Sequence, residues 1–188
     1  MNLILLAALL ATPRLPHGKH ESPAASAPVQ LSADELRARI DGYLGSIDRP
    51  ITSENWRALG PQAAQLLEPI AADAQALPSR RARALEGVIA VAPDRAAQLV
   101  GAIARDENAP VVLRVVALRG AGEVLSPAKA MTELKPVLQS AQSAGMRGVA
   151  AEVLTRHKEG CRTVREQAGR ESPEVRQAFQ GALSRCAE

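Results

Sequence analysis

Aromatic residues are almost missing from this chain. Its 188 residues hold one Tyr, one Trp and one Phe, at Tyr43, Trp56 and Phe179, although 46% of the chain is hydrophobic. A core must therefore be made from Ala, Leu, Val and Ile. That mixture suits closely packed helices, because Ala and Leu lead the helix propensity scale while aromatic and β-branched residues dominate strands. The same scarcity removes the stacking platforms that a nucleic-acid groove or a flipped base requires. Long apolar runs are also lacking. Met1 to Ala11 reads MNLILLAALLA, too short to span a bilayer, which takes about 20 residues. No Gly-rich phosphate loop, nucleophile elbow or H-E-x-x-H segment occurs. Charge of one sign is scarce as well. The pI of 9.2 reflects a net charge of only +3, and from Gln30 onward 21 Arg and Lys face 19 Asp and Glu. That near-neutrality argues against nucleic acid as a partner.

What the chain does contain is a sentence written twice. Ala64-Gln-Leu-Leu-Glu-Pro-Ile-Ala-Ala-Asp73 returns 33 residues later as Ala97-Gln-Leu-Val-Gly-Ala-Ile-Ala-Arg-Asp106, and Arg81, Arg114 and Arg147 keep the same spacing, as do Ala84, Ala117 and Ala150. A fixed period of this size marks a stacked array in which each unit buries its apolar face against its neighbours. The expected fold is all-α, an α-solenoid of antiparallel helix pairs with a period of about 33 residues. Ser32 and Glu35 read as a capping box opening a helix over 31–47, with Leu36, Ile40, Tyr43, Leu44 and Ile47 along its apolar face. Arg49-Pro50 ends it, and Thr52 or Ser53 starts a short helix that carries Trp56, which plugs the end of the core. Pro61, Pro93 and Pro127 stand at helix starts, where the missing N–H costs nothing. The helices then fall at 61–76, 78–91, 93–106, 110–125, 127–141, 143–158, 161–170 and 173–186, with kinks at Pro69 and Pro136.

The first eleven residues fit the h-region of a secretory signal peptide, with cleavage somewhere in 11–28, although the n-region lacks Lys and Arg. Residues 12–30 read as a disordered linker. His17 and His20 in this linker have no third ligand beside them, so no metal site and no cofactor is expected. Residues 31–60 then form N-terminal capping helices and 61–186 the repeats. The chain's two cysteines, Cys161 and Cys186, are placed at the start of one helix and the end of the next. In an antiparallel hairpin those ends lie side by side, as a disulfide requires. An exported chain favours that bond, and closing the loop contributes roughly 3 kcal/mol on the chain-entropy estimate. His157 sits in Thr155-Arg-His-Lys158 at a helix end without a catalytic partner. The basic residues from Arg156 to Arg170 alternate with glutamates, as a solvated helix face does.

Glu171-Ser-Pro-Glu-Val-Arg176-Gln-Ala-Phe-Gln-Gly-Ala-Leu183 resembles the first helix of a HEAT or HEAT-like (armadillo-type) repeat, and the segments Val112–Leu118 and Gly145–Ala150 resemble weaker copies. The resemblance covers about residues 61–186. It implies that repeat arginines pair with repeat aspartates in a structural ladder: Asp73 with Arg81 and Asp106 with Arg114, continued by Arg147 and Arg176 and broken before Arg147, where no Asp stands in the matching place. Such ion pairs contribute under about 1 kcal/mol each. The family's architecture says little about chemistry. The leading expectation is a non-enzymatic scaffold of the cell envelope or exterior that binds an unidentified protein or peptide. Two alternatives stay open. One is an enzyme or accessory of the lyase or glycosylase type, which the resemblance admits without any matching active-site motif. The other is a cytosolic nucleic-acid-binding repeat protein, which requires that the N-terminus not be a signal.

Overall fold

A computed structural model describes residues 31–186, within a compact unit that begins at Leu31. The expected signal segment, its cleavage point, the linker and the His17/His20 pair lie outside the described residues. Among the described residues there are eleven α-helices, one 3-10 turn and no strand.

The first helix, α1 (Ala33–Gly45), opens on the expected capping box. Ser32 Oγ accepts from the Glu35 amide, and the Ser32 amide donates to the Glu35 carboxylate at 2.8 Å. The Ser32 hydroxyl donates to the same carboxylate at 2.7 Å, and this bond, with that from the Ser32 amide, holds Glu35 below the usual glutamate pKa. The helix stops two residues earlier than its apolar pattern suggests. Ser46 is already extended, and Ile47, read from sequence as part of the buried stripe, is 91% exposed. Thr52 caps α2 (Ser53–Arg57), with Asn55 completing the reciprocal bond. Trp56 is buried from this short helix and meets Tyr43 edge-on at 5.2 Å. Gly60 has φ +79°, a left-handed conformation that glycine adopts without strain. It turns the chain into a 3-10 turn at Pro61–Ala63 and then α3 (Ala64–Ala72).

The remaining helices are α4 (Pro78–Val91), α5 (Pro93–Arg105), α6 (Val111–Val124), α7 (Pro127–Ser140), α8 (Ala144–Leu154), α9 (Lys158–Ala168), α10 (Pro173–Ala178) and α11 (Gln180–Arg185). Proline occupies the first helical position of α4, α5, α7 and α10, where its fixed φ suits the first turn. Ser126, Ser143 and Ser172 cap α7, α8 and α10 through their hydroxyls. Pro69 and Pro136 lie inside α3 and α7 without interrupting either.

Three boundaries differ from the sequence pattern. The helix expected over 61–76 ends at Ala72, because Asp73 becomes extended and takes the Gln75 amide on its carboxylate at 2.9 Å. Asp106 does the same for Asn108. The chain turns at Thr155–His157 rather than after Lys158, so α9 begins three residues before Cys161. Thr155, buried, donates its hydroxyl back to the Ala151 carbonyl there. The single helix expected over 173–186 is two, with Phe179, fully buried, serving as the end of α10 and the start of α11.

Helices adjacent in sequence pack together: α3 on α4, α5 on α6, α7 on α8. Beyond these neighbours, α4 packs on α6, α6 on α8 and α8 on α10, while α5 packs on α7 and α7 on α9. Both α1 and α2 pack on α4. The core along these contacts is built from small and branched residues such as Ala84, Leu85, Val100, Leu118, Leu134 and Ala150, with Trp56 and Phe179 the largest side chains in it.

Close approach of backbones depends on glycine in α9. A Cβ at Gly160 would collide with the Leu154 carbonyl, a backbone group that cannot swing aside. Gly42 in α1 has nothing within 4 Å of the same position. Gly160→Ala should therefore lose about 1–3 kcal/mol to overpacking. Gly42→Ala should gain about 0.5–1 kcal/mol from helix propensity alone. Urea denaturation of the two variants checks both signs.

Candidate functional site

The repeat arginines occupy one position throughout. Arg81, Arg114, Arg147 and Arg176 are each the fourth residue of their helix, in α4, α6, α8 and α10. In every case Nε donates to a carbonyl near the C-terminus of the preceding helix: Ala71 at 3.2 Å, Ala104 at 3.3 Å, Leu138 at 3.1 Å and Ala168 at 3.1 Å. The last four carbonyls of a helix have no partner within it and carry the negative end of its dipole. Each arginine thus caps the helix before it. Arg114 is buried among these contacts, at 7% exposure.

The aspartate ladder is corrected by this geometry. Neither Asp73–Arg81 nor Asp106–Arg114 is among the ion pairs of the described residues. Both carboxylates face their own turn amides, at Gln75 and Asn108, and both guanidiniums face carbonyls instead. Ion pairs that do join different helices fall elsewhere. Arg95 of α5 pairs with Glu68 of α3: Nη2 donates to Oε2 at 2.6 Å, and Nε lies 2.5 Å from Oε1. Arg105 of α5 pairs with Glu133 of α7, and Arg80 of α4 with Asp41 of α1 at 2.6 Å. Arg147 additionally pairs with Glu171. No periodic spacing marks these partners in the sequence.

Cys161 and Cys186 are joined in a disulfide, with their Cα atoms 5.5 Å apart. Cys161 lies one turn inside α9 and Cys186 caps α11. The two helices also pack on each other, which brings the sulfurs together although Cys161 lies one turn further into its helix than the sequence pattern put it. His157 begins α9 without capping it through its side chain. Among the described residues no group of three or more metal-ligating side chains converges. No helix there is long and apolar enough to cross a membrane.

One concavity lies where α2, α4 and α6 meet. It is a cleft of about 340 Å³ with Ile51, Ile89 and Val116 as apolar surface and Glu86, Arg119 and Glu123 at its charged edge. Trp56 forms part of its wall, and the buried indole N–H finds no acceptor among the described residues. Such an unmet donor costs free energy that a carbonyl or carboxylate acceptor would restore. Glu86, although exposed to solvent, has lost enough water around its carboxyl to push its pKa above the ordinary glutamate value, against a smaller opposing pull from Arg83. Neither histidine nor cysteine lines the cleft. Its contents suit binding: an apolar surface, one cation and two anions at the edge, and the hydroxyls of Thr52 and Ser53. Ser53, Glu86 and Arg119 stand 33 residues apart, as do Trp56 and Ile89, but the residue type changes at every step, so identity did not mark these positions as one site.

No protein-family model, curated protein or solved structure matches the chain. The geometry of the site is therefore the ground on which function rests.

Burial of the Glu86 carboxyl has a pH consequence. A raised folded pKa means the folded chain holds this proton more tightly than the unfolded chain. Ionisation then opposes folding, by an amount absent well below the ordinary value of 4.5 and complete once pH exceeds the folded pKa. Glu86→Gln should therefore gain stability relative to wild type between about pH 3.5 and about pH 7. Denaturant melts of both proteins at the two pH values measure the difference. A difference that does not change with pH would mean that this carboxyl is as well hydrated in the fold as outside it.

Proposed function

We propose that the chain is a non-enzymatic, HEAT-like α-solenoid scaffold of the cell envelope or exterior, and that it grips an extended protein or peptide segment in the cleft between α2, α4 and α6. The contacts of α4 with α6, α6 with α8 and α8 with α10, beside those of α5 with α7 and α7 with α9, support two stacked rows of helices. An arginine at the same position in four successive second helices supports a repeating unit. Location outside the cytoplasm is supported by the disulfide, which persists in oxidising compartments, and by the apolar segment Met1–Ala11.

The observation that carries the binding role is the composition of the cleft. Ile89 and Val116 offer apolar surface, and Arg119 and Glu86 offer opposite charges at its edge. An extended peptide supplies matching features in one ligand, namely apolar and charged side chains. The mixed charge sets which peptides fit more than how tightly they bind.

Selection of random displayed peptides on the oxidised protein tests the reading. Selected ligands should weaken by at least about tenfold, or about 1.4 kcal/mol, with Arg119→Glu. Both that residue and its charge are exposed, so the fold should survive the change. Failure to select any ligand, or ligands indifferent to Arg119→Glu and Val116→Glu alike, would reject the cleft as the binding surface.

A further inference from the structure

At the far end of the chain, away from the peptide cleft, the corner between α8 and α9 and the end of α11 enclose a second concavity of about 440 Å³. Its lining includes Arg156, His157, Lys158, Arg165 and Arg185 together with both cysteines of the disulfide, and among the described residues no carboxylate. The five basic side chains are all exposed. None of the ion pairs among the described residues uses Arg156, Lys158, Arg165 or Arg185. The guanidiniums that are engaged meet neutral carbonyls: Arg165 donates to Cys186 O, and Arg185 donates to Glu152 O at 3.4 Å. A carbonyl orients a guanidinium without cancelling its charge.

Four permanent cations around one small volume repel one another, and a single carboxylate would neutralise only one of them. A group with two or more negative charges and several acceptor oxygens matches the set, and guanidinium forks suit phosphate oxygens in particular. We propose that this cleft is a binding site for a phosphate-bearing ligand, a phosphomonoester or diphosphate group either free or on a lipid headgroup, and that the disulfide assembles it. Arg156, His157 and Lys158 come from the α8–α9 corner and Arg165 from α9, whereas Arg185 comes from the end of the chain, 20 residues after Arg165. The Cys161–Cys186 bond ties these walls together. Reduction frees the wall bearing Arg185 and lowers the local concentration of positive charge. This site is independent of the peptide reading, since no residue is shared between the two clefts.

The test uses the full oxidised chain. Calorimetric titration with inorganic pyrophosphate should show saturable binding that weakens at least about tenfold in the double variant Lys158→Gln/Arg185→Gln. The double variant Arg39→Gln/Arg57→Gln removes the same charge from exposed positions in α1 and α2 and should bind as wild type does. Circular dichroism establishes that both variants are folded. Reduction and alkylation of the wild-type chain should weaken binding by a similar factor. Sedimentation with phosphatidylcholine vesicles with and without phosphatidic acid separates the two sources of phosphate: co-sedimentation only with phosphatidic acid assigns a lipid headgroup, and pyrophosphate binding alone assigns a free ligand. Absence of binding in both assays, or equal losses in the two double variants, would overturn the proposal. Undiminished binding by the reduced chain would overturn the part assigned to the disulfide.

Discussion

Four arginine side chains, each lying across the end of the helix that precedes it, set the constraint on which the rest of this structure depends. A helix that stops in a tight bundle leaves carbonyls without donors, and burying them unmet costs about 1–3 kcal/mol apiece. Short loops bring the first turn of the next helix alongside those carbonyls. A side chain at the fourth position of that turn, long enough to reach back and always charged, meets the need. Lysine would bring a charge but not the planar Nε–H that donates in all four instances. With Arg114 buried, the cap also fixes how closely α5 and α6 approach, and small residues such as Ala104, Ala117 and Ala121 fill the space that remains.

Repeated along the chain, this device leaves the outward faces of the second helices free of structural duty. Glu86 on α4 and Arg119 and Glu123 on α6 occupy such positions. They edge the cleft that the proposed function assigns to a peptide. The two ends of the described helices are closed differently. At the beginning, α1 and α2 cover α4 with Ile40, Leu44 and Trp56. At the end, where only one neighbour remains, Phe179 fills the core and the disulfide fastens the final turn to α9. A terminal repeat that buries little surface gains most from such a covalent tie.

Much of this was legible in the sequence. The spacing of Arg81, Arg114 and Arg147, the prolines at helix starts, the Ser32–Glu35 box and the proximity of the two cysteines are all local or periodic signals. The partner of the arginines was not legible, because a backbone carbonyl leaves no trace in residue identity, whereas Asp73 and Asp106 stand eight residues before an arginine and suggest a pairing they do not make. Arg176 follows Arg147 by 29 residues rather than 33, yet it takes the same helix position, since α8 and α9 are shorter than α6 and α7 and the loops after them slightly longer. The split at Phe179 was hidden by a continuous helical pattern that tertiary burial overrides. The clefts were invisible for another reason: each assembles residues from separate helices, and only packing brings them together.

The central claim is that the repeat arginines act on carbonyls and not on the aspartates. A double-mutant cycle at Arg114 and Asp106 measures this directly by denaturant unfolding of Arg114→Met, Asp106→Asn and their combination. The account predicts a loss of about 1–3 kcal/mol for Arg114→Met, a much smaller loss for Asp106→Asn, whose amide oxygen can still accept from Asn108, and a coupling within about 0.5 kcal/mol of zero. A coupling above about 1 kcal/mol, with the two single losses alike, would restore the aspartate–arginine ladder and contradict it.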